Sequence, residues 1–95
     1  SDYQKVVRDF AFVIDEKYSS GEIINLVKKI DKELVKEVKI FDVYQGANIE
    51  TGKKSIAFNV ILEPKDKTLS DNDIEEISKK IISKIQETTG AKLRS

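Results

Sequence analysis

Asp42 and Tyr44 stand two apart in Phe41-Asp42-Val43-Tyr44-Gln45-Gly46, and in a strand residues two apart share a side. A tyrosine ring can stack on an unpaired base, worth about 1–3 kcal/mol per base. A carboxylate beside it can accept hydrogen bonds from a base amino or imino group. Ser55, in the apolar-alternating run Lys53-Lys54-Ser55-Ile56-Ala57-Phe58, adds a hydroxyl that both donates and accepts. Arg94, close to the last residue, supplies a cation for a phosphate or a base if it lies on the same side. The bland alternatives are a tyrosine that shields backbone and a solvated run formed by Lys92 and Arg94. An aromatic with a polar tip beside an acid exceeds what the uncovered side of a sheet requires, which favours binding.

The rest of the composition narrows the chemistry. Neither histidine nor cysteine occurs in the 95 residues, so no Ser-His-Asp or Cys-His nucleophile exists and the commonest metal ligands are missing. The Asp71, Asn72 and Asp73 cluster lacks the alternating ligands, glycine and distal glutamate of a calcium loop, and reads as helix capping. Gly21 alone is a weak phosphate cradle. Basic and acidic side chains balance at 17 each, which argues against a strong general nucleic-acid or membrane binder but leaves room for a local patch. Arg8-Asp9 reads as an edge ion pair rather than a phosphate contact. No apolar run approaches the ~20 residues of a membrane span, so the expectation is a cytoplasmic chain without membrane contact.

The elements that must position these groups follow from periodicity. Val6 to Ile14 alternates as a first strand, with Phe10, Phe12 and Ile14 toward a core. Ser19 with Glu22 fits a capping box, and Ile23, Val27, Ile30 and Leu34 predict a helix from about Gly21 to Leu34. Val38 to Gly46 and Lys54 to Glu63 read as the second and third strands, joined through Gly46, Asn48 and Gly52 and closed by Pro64. Alternation puts Phe41 and Val43 on one side of the second strand and Ile40, Asp42 and Tyr44 on the other. On the third, Ile56, Phe58, Val60 and Leu62 oppose Ser55, Ala57 and Asn59. Ser70 caps a second helix with the stripe Ile74, Ile77, Ile81 and Ile85, which Gly90 ends. Ala91 to Arg94 makes a last strand, with Lys92 and Arg94 on one side and Leu93 pointing inward. The order β-α-β-β-α-β predicts one α+β domain over residues 1–95, a ferredoxin-like sandwich with two helices on one face of a four-stranded antiparallel sheet.

Arg8-Asp9, Phe41 to Gly46, Gly52-Lys53-Lys54-Ser55-Ile56-Ala57, Thr68-Leu69-Ser70-Asp71 and Gly90-Ala91-Lys92-Leu93-Arg94 together resemble the ferredoxin-fold anticodon-binding domain, which ends the beta subunit of bacterial phenylalanine–tRNA ligase. The resemblance spans nearly the whole chain, with one departure at Gln4, where a proline usually follows an aromatic such as Tyr3. It implies a tRNA-binding module, one domain of a larger beta subunit, whose uncovered sheet packs on the anticodon stem-loop of phenylalanine tRNA. Carried over, Tyr44 packs on the first anticodon base, Asp42 and Ser55 hydrogen-bond base or sugar, and Arg94 engages a phosphate or base. It also implies no catalytic residue and no cofactor in this domain. ATP and magnesium serve the parent enzyme, and aminoacylation belongs to an alpha subunit in an α2β2 assembly.

Other functions sit on the same fold. The main alternative is a protein-interaction or small-ligand regulatory domain that dimerises through an apolar open face, to which Val13, Ile40, Ala57 and Ile61 would contribute. An RNA-recognition motif would want aromatics where Ser55, Ala57 and Asn59 stand. A small acyl-phosphate hydrolase would want an anion cradle in Glu16 to Gly21.

Overall fold

Phe58 sits between Phe10 and Phe12, its ring centroid 5.6 and 6.0 Å from theirs, and all three are buried. These residues hold the two central strands of the computed structural model, which describes residues 4–64 and 66–94. The elements run β1 (Val6–Asp15), α1 (Ser20–Lys28), β2 (Val35–Tyr44), β3 (Lys53–Leu62), α2 (Asp71–Thr89) and β4 (Lys92–Leu93). The strands form one antiparallel sheet in the order β2-β3-β1-β4. One parity of strand residues (Phe10, Phe12, Ile14, Ile56, Phe58, Val60, Leu62) joins Ile23 and Val27 of α1 and Ile77, Ile81 and Ile85 of α2 in a single core. Both helices therefore cover one side of the sheet, and the opposite parity is left open. This is the predicted ferredoxin-like α+β arrangement.

Both helix starts match expectation. Ser19 and Ser70 accept from the N–H groups of Glu22 and Asp73, and each carboxylate accepts from its cap's backbone N–H, which at Ser70 makes a capping box in addition to the expected cap. Gly90 ends α2 in the left-handed region at φ 73°, where a Cβ would be strained.

Several boundaries and faces depart from the sequence reading. Helix α1 stops at Lys28 rather than Leu34. The Asp31 carboxylate accepts from the N–H groups of Glu33 and Leu34 at 3.1 and 3.0 Å, which gives the backbone a turn in place of another helical turn. Ile30 and Leu34 still pack on the core, which is why their spacing looked helical. Strand β2 begins at Val35 and ends at Tyr44, leaving Gly46 in the loop at φ 137°. It also carries two register shifts, and the second, between Ile40 and Asp42, makes Phe41 an extra residue. Ile40 therefore pairs with Phe58 on the helix side, not with Asp42 and Tyr44 on the open one. Phe41 and Val43 are 57% and 48% exposed because the far half of β2 is an edge that the helices do not cover. Leu93 pairs with Phe12 on the helix side but is 41% exposed, since β4 is the opposite edge, and Ala91 is buried instead. Arg8 and Asp9 lie on opposite sides of β1, and Arg8 donates to the Val7 carbonyl at 3.0 Å instead of making the expected edge pair. Tyr3, invoked for the departure at Gln4, lies outside the described residues.

Two outcomes follow for stability. Phe58→Ala removes the ring that joins the two central strands and is expected to cost about 3–5 kcal/mol in denaturant unfolding. The Ser70 backbone N–H, then its hydroxyl, and Lys67 at 3.7 Å hold the Asp73 carboxyl below its ordinary pKa. A carboxyl depressed in the folded state stabilises above its unfolded pKa and loses that contribution as pH falls through the folded value. The stability advantage of wild type over Asp73→Asn should therefore be full at neutral pH and vanish in acid, measured by thermal melts across pH.

Candidate nucleic-acid interface

The open side of the sheet is built in transverse rows. Tyr44 pairs with Ser55, Ser55 with Val13, and Val13 with Lys92, so one row crosses all four strands. The next row runs Asp42, Ala57, Ala11, and ends at Arg94, whose N–H bonds the Ala11 carbonyl at 2.6 Å. Successive rows on one side are about 6.7 Å apart along the strands, and the outer strands lie about 14 Å apart across the sheet. The two central positions of each row are small: Ser55 and Val13 in one, Ala57 and Ala11 in the other. The outer positions are polar or charged. The result is a shallow trough with an acid and a phenol along one wall and two cations along the other.

The bulge at Phe41 is what separates Ile40 from Asp42. Unbroken alternation from Ile40 also puts Asp42 on the side of Tyr44, but it puts Ile40 there as well. With the extra residue, Ile40 goes to the core and the acid stays outside. Tyr44 is 43% exposed, and its hydroxyl donates to the Ala47 carbonyl at 3.1 Å. A Cβ at Gly46 would approach the Tyr44 hydroxyl to 3.1 Å and its ring Cζ to 3.4 Å. The loop thus folds under the tyrosine, and Gly46 is the seat on which the ring rests. Gln45 Nε2 donates to Glu16 Oε2 at 2.7 Å and Glu16 N–H to Gly52 at 2.9 Å, which ties this loop to the end of β1.

On the opposite wall, Arg94 reaches back over β1 and donates from Nη1 to Ser55 Oγ at 2.8 Å. Ser55 is only 4% exposed and is the buried polar residue beneath the guanidinium. Its place was foreseen, on the open side. Its burial was not, and the hydroxyl serves first to fix Arg94. Asp42, Tyr44, Ser55 and Arg94 are thus brought to one side, in adjacent rows. The seat at Gly46 and the Ala47 acceptor went unread, although a glycine two residues after an outward aromatic was visible. One row further on, Asn59 Oδ1 is buried and lacks a hydrogen-bond partner among the described residues. Such acceptors are commonly met by ordered water or ligand. Among the described residues no group of acids is placed to hold a metal ion, and no helix is long and apolar enough to cross a membrane.

Comparison with known proteins fits this geometry. The chain is 42% identical over 95 residues to the phenylalanine–tRNA ligase beta subunit of Bradyrhizobium diazoefficiens, covering 100% of this chain and 12% of that protein. It is 45% identical over 95 residues to that of Rhodospirillum rubrum, again covering 100% and 12%. With that of Brucella abortus the identity is 42% over 92 residues, covering 97% and 11%. The chain therefore spans 11–12% of the length of these curated relatives. The family model of the ferredoxin-fold anticodon binding domain matches residues 1–94. With that match running from end to end of the sheet and both helices, the chain belongs to the ferredoxin-fold anticodon-binding domain family.

Proposed function

We propose that this chain is the anticodon-binding module of a phenylalanine–tRNA ligase beta subunit and that its trough receives the anticodon loop of phenylalanine tRNA. The observation that carries this reading is the pair of rows spanning the sheet, with a base-sized aromatic and an acid on β2 facing two cations across a floor of small side chains. An unpaired base lies on the exposed face of Tyr44, whose hydroxyl is already bonded to the loop and so leaves the ring fixed. Asp42 accepts from the amino or imino edge of that base. Arg94, held by Ser55, turns its remaining N–H groups toward phosphate or base, and the Ser55 proton can be donated to the same ligand.

The reading makes the chain a binding domain. The phenylalanine activation and transfer that consume ATP with magnesium belong, in this proposal, to an alpha subunit in a cytoplasmic α2β2 enzyme. The remainder of the beta subunit is the other partner. The balanced charge of 17 against 17 gives weak long-range attraction, so affinity in isolation is modest and its salt slope small.

Titration with the phenylalanine anticodon stem-loop and with a stem-loop of altered anticodon, read by fluorescence anisotropy, tests the assignment. The cognate loop should bind more tightly, and equal affinity for both would remove anticodon reading. Tyr44→Ala should weaken the cognate complex by about 1–3 kcal/mol, whereas Tyr44→Phe keeps the stacking ring and should bind nearly as wild type. The trough floor is too small and its walls too charged for a tight apolar dimer, so light scattering should return the monomer mass. A stable dimer that buries the trough would favour the protein-interaction alternative.

A further inference from the structure

Beside the Arg94 end of the trough lies a recess of about 170 Å3, lined by Val13, Glu50, Lys53, Lys92, Leu93 and Arg94. Three of these six side chains are cations, in a chain whose charges cancel overall. Lys92 stands in the same transverse row as Tyr44, and Lys53 lies two residues before Ser55 on β3, hence on the same side. Arg94 uses one N–H on Ser55 and keeps others for an acceptor. No ion pair holds Lys92 or Arg94 among the described residues. Lys53 Nζ stands 4.0 Å from Glu50 Oε2, a long contact from a half-buried lysine to an exposed carboxylate that exchanges readily. Asp15 is opposite Lys53 in the ladder, but its carboxylate already accepts the Lys17 N–H at 2.9 Å.

We propose that this recess binds one backbone phosphate of the RNA strand in the trough, between Lys53, Lys92 and Arg94, and that the phosphate takes the place of the Glu50 carboxylate beside Lys53. The ligand rests on the anticodon-loop reading, but the role does not. Tyr44 and Asp42 on β2 discriminate between bases. The recess, across the sheet, carries no base information and sets the register of the strand. The Glu50 carboxylate is then a built-in competitor that offsets part of the positive charge of the isolated recess and limits binding of other anions.

The test uses this chain with the cognate and the altered-anticodon stem-loops over a range of salt. Lys53→Gln and Lys92→Gln should each weaken both loops equally, on the order of threefold. Each should also lower the salt slope by part of the ~0.7–0.9 that one phosphate contact contributes, with thermal melts unchanged. Glu50→Gln should tighten both loops and leave their ratio alone. If these three variants bind like wild type while Tyr44→Ala weakens, the phosphate recess is wrong and the anticodon reading stands. If wild type binds both loops equally and the lysine variants weaken them, the anticodon reading fails and the recess stands. A lysine variant that changes the ratio between loops, or a wild-type chain that binds neither loop, overturns the recess.

Discussion

Strands β1 and β3 pair over ten consecutive residues without a register shift, from Val6 with Leu62 to Asp15 with Lys53. Everything on both sides of the sheet is propagated from that ladder. Because side chains alternate with a period of two, a slip of one residue would exchange the two sides completely. The register is specified by burial: Phe10, Phe12, Ile56 and Phe58 can be satisfied only beneath the helices. Their neighbours Ala11, Val13, Ser55 and Ala57 are then obliged to form the floor of the trough. The core and the floor are one decision, made by the same four pairs.

The outer strands are held less strictly, and the candidate chemistry sits on them. Strand β2 absorbs two register shifts and β4 pairs through only two residues and the Arg94 N–H. Two local devices compensate. On β2, the Gly46 loop supports the Tyr44 ring from below and binds its hydroxyl. Across the sheet, a hydrogen bond from Arg94 to the nearly buried Ser55 joins β4 to β3 across β1. Each restrains a side chain that would otherwise have many rotamers, so less ordering entropy remains to be lost when a ligand binds. A chain with no net charge thus presents charge through placement rather than excess.

Much of this was readable from residue types. The capping box at Ser19, the cap at Ser70, the glycine that ends α2 and the order of elements depend on short-range rules that the local sequence obeys. The failures also have local causes. Ile30 and Leu34 keep helical spacing beyond the end of α1, because the Asp31 turn delivers them to the same core by another path. A bulge has no compositional mark at Ile40-Phe41-Asp42, so simple alternation sent Ile40 to the wrong side. Leu93 was expected to point inward because it is apolar. Whether cover exists depends on how far the helices reach over the sheet edges.

By itself the sequence determined which side chains could take part: an acid and a phenol two apart, a hydroxyl in an alternating strand, an arginine one residue past Leu93, and no histidine or cysteine. It also determined the fold class, because hydrophobic period and capping are properties of neighbouring residues. Only the tertiary structure decided that Tyr44 and Lys92 share a row, that Ser55 lies beneath Arg94, and that Lys53 and Lys92 meet at one recess. Those relations join residues dozens of positions apart through strand order and register. Such pairings are set by the burial of the whole core and are invisible to any local window of the chain.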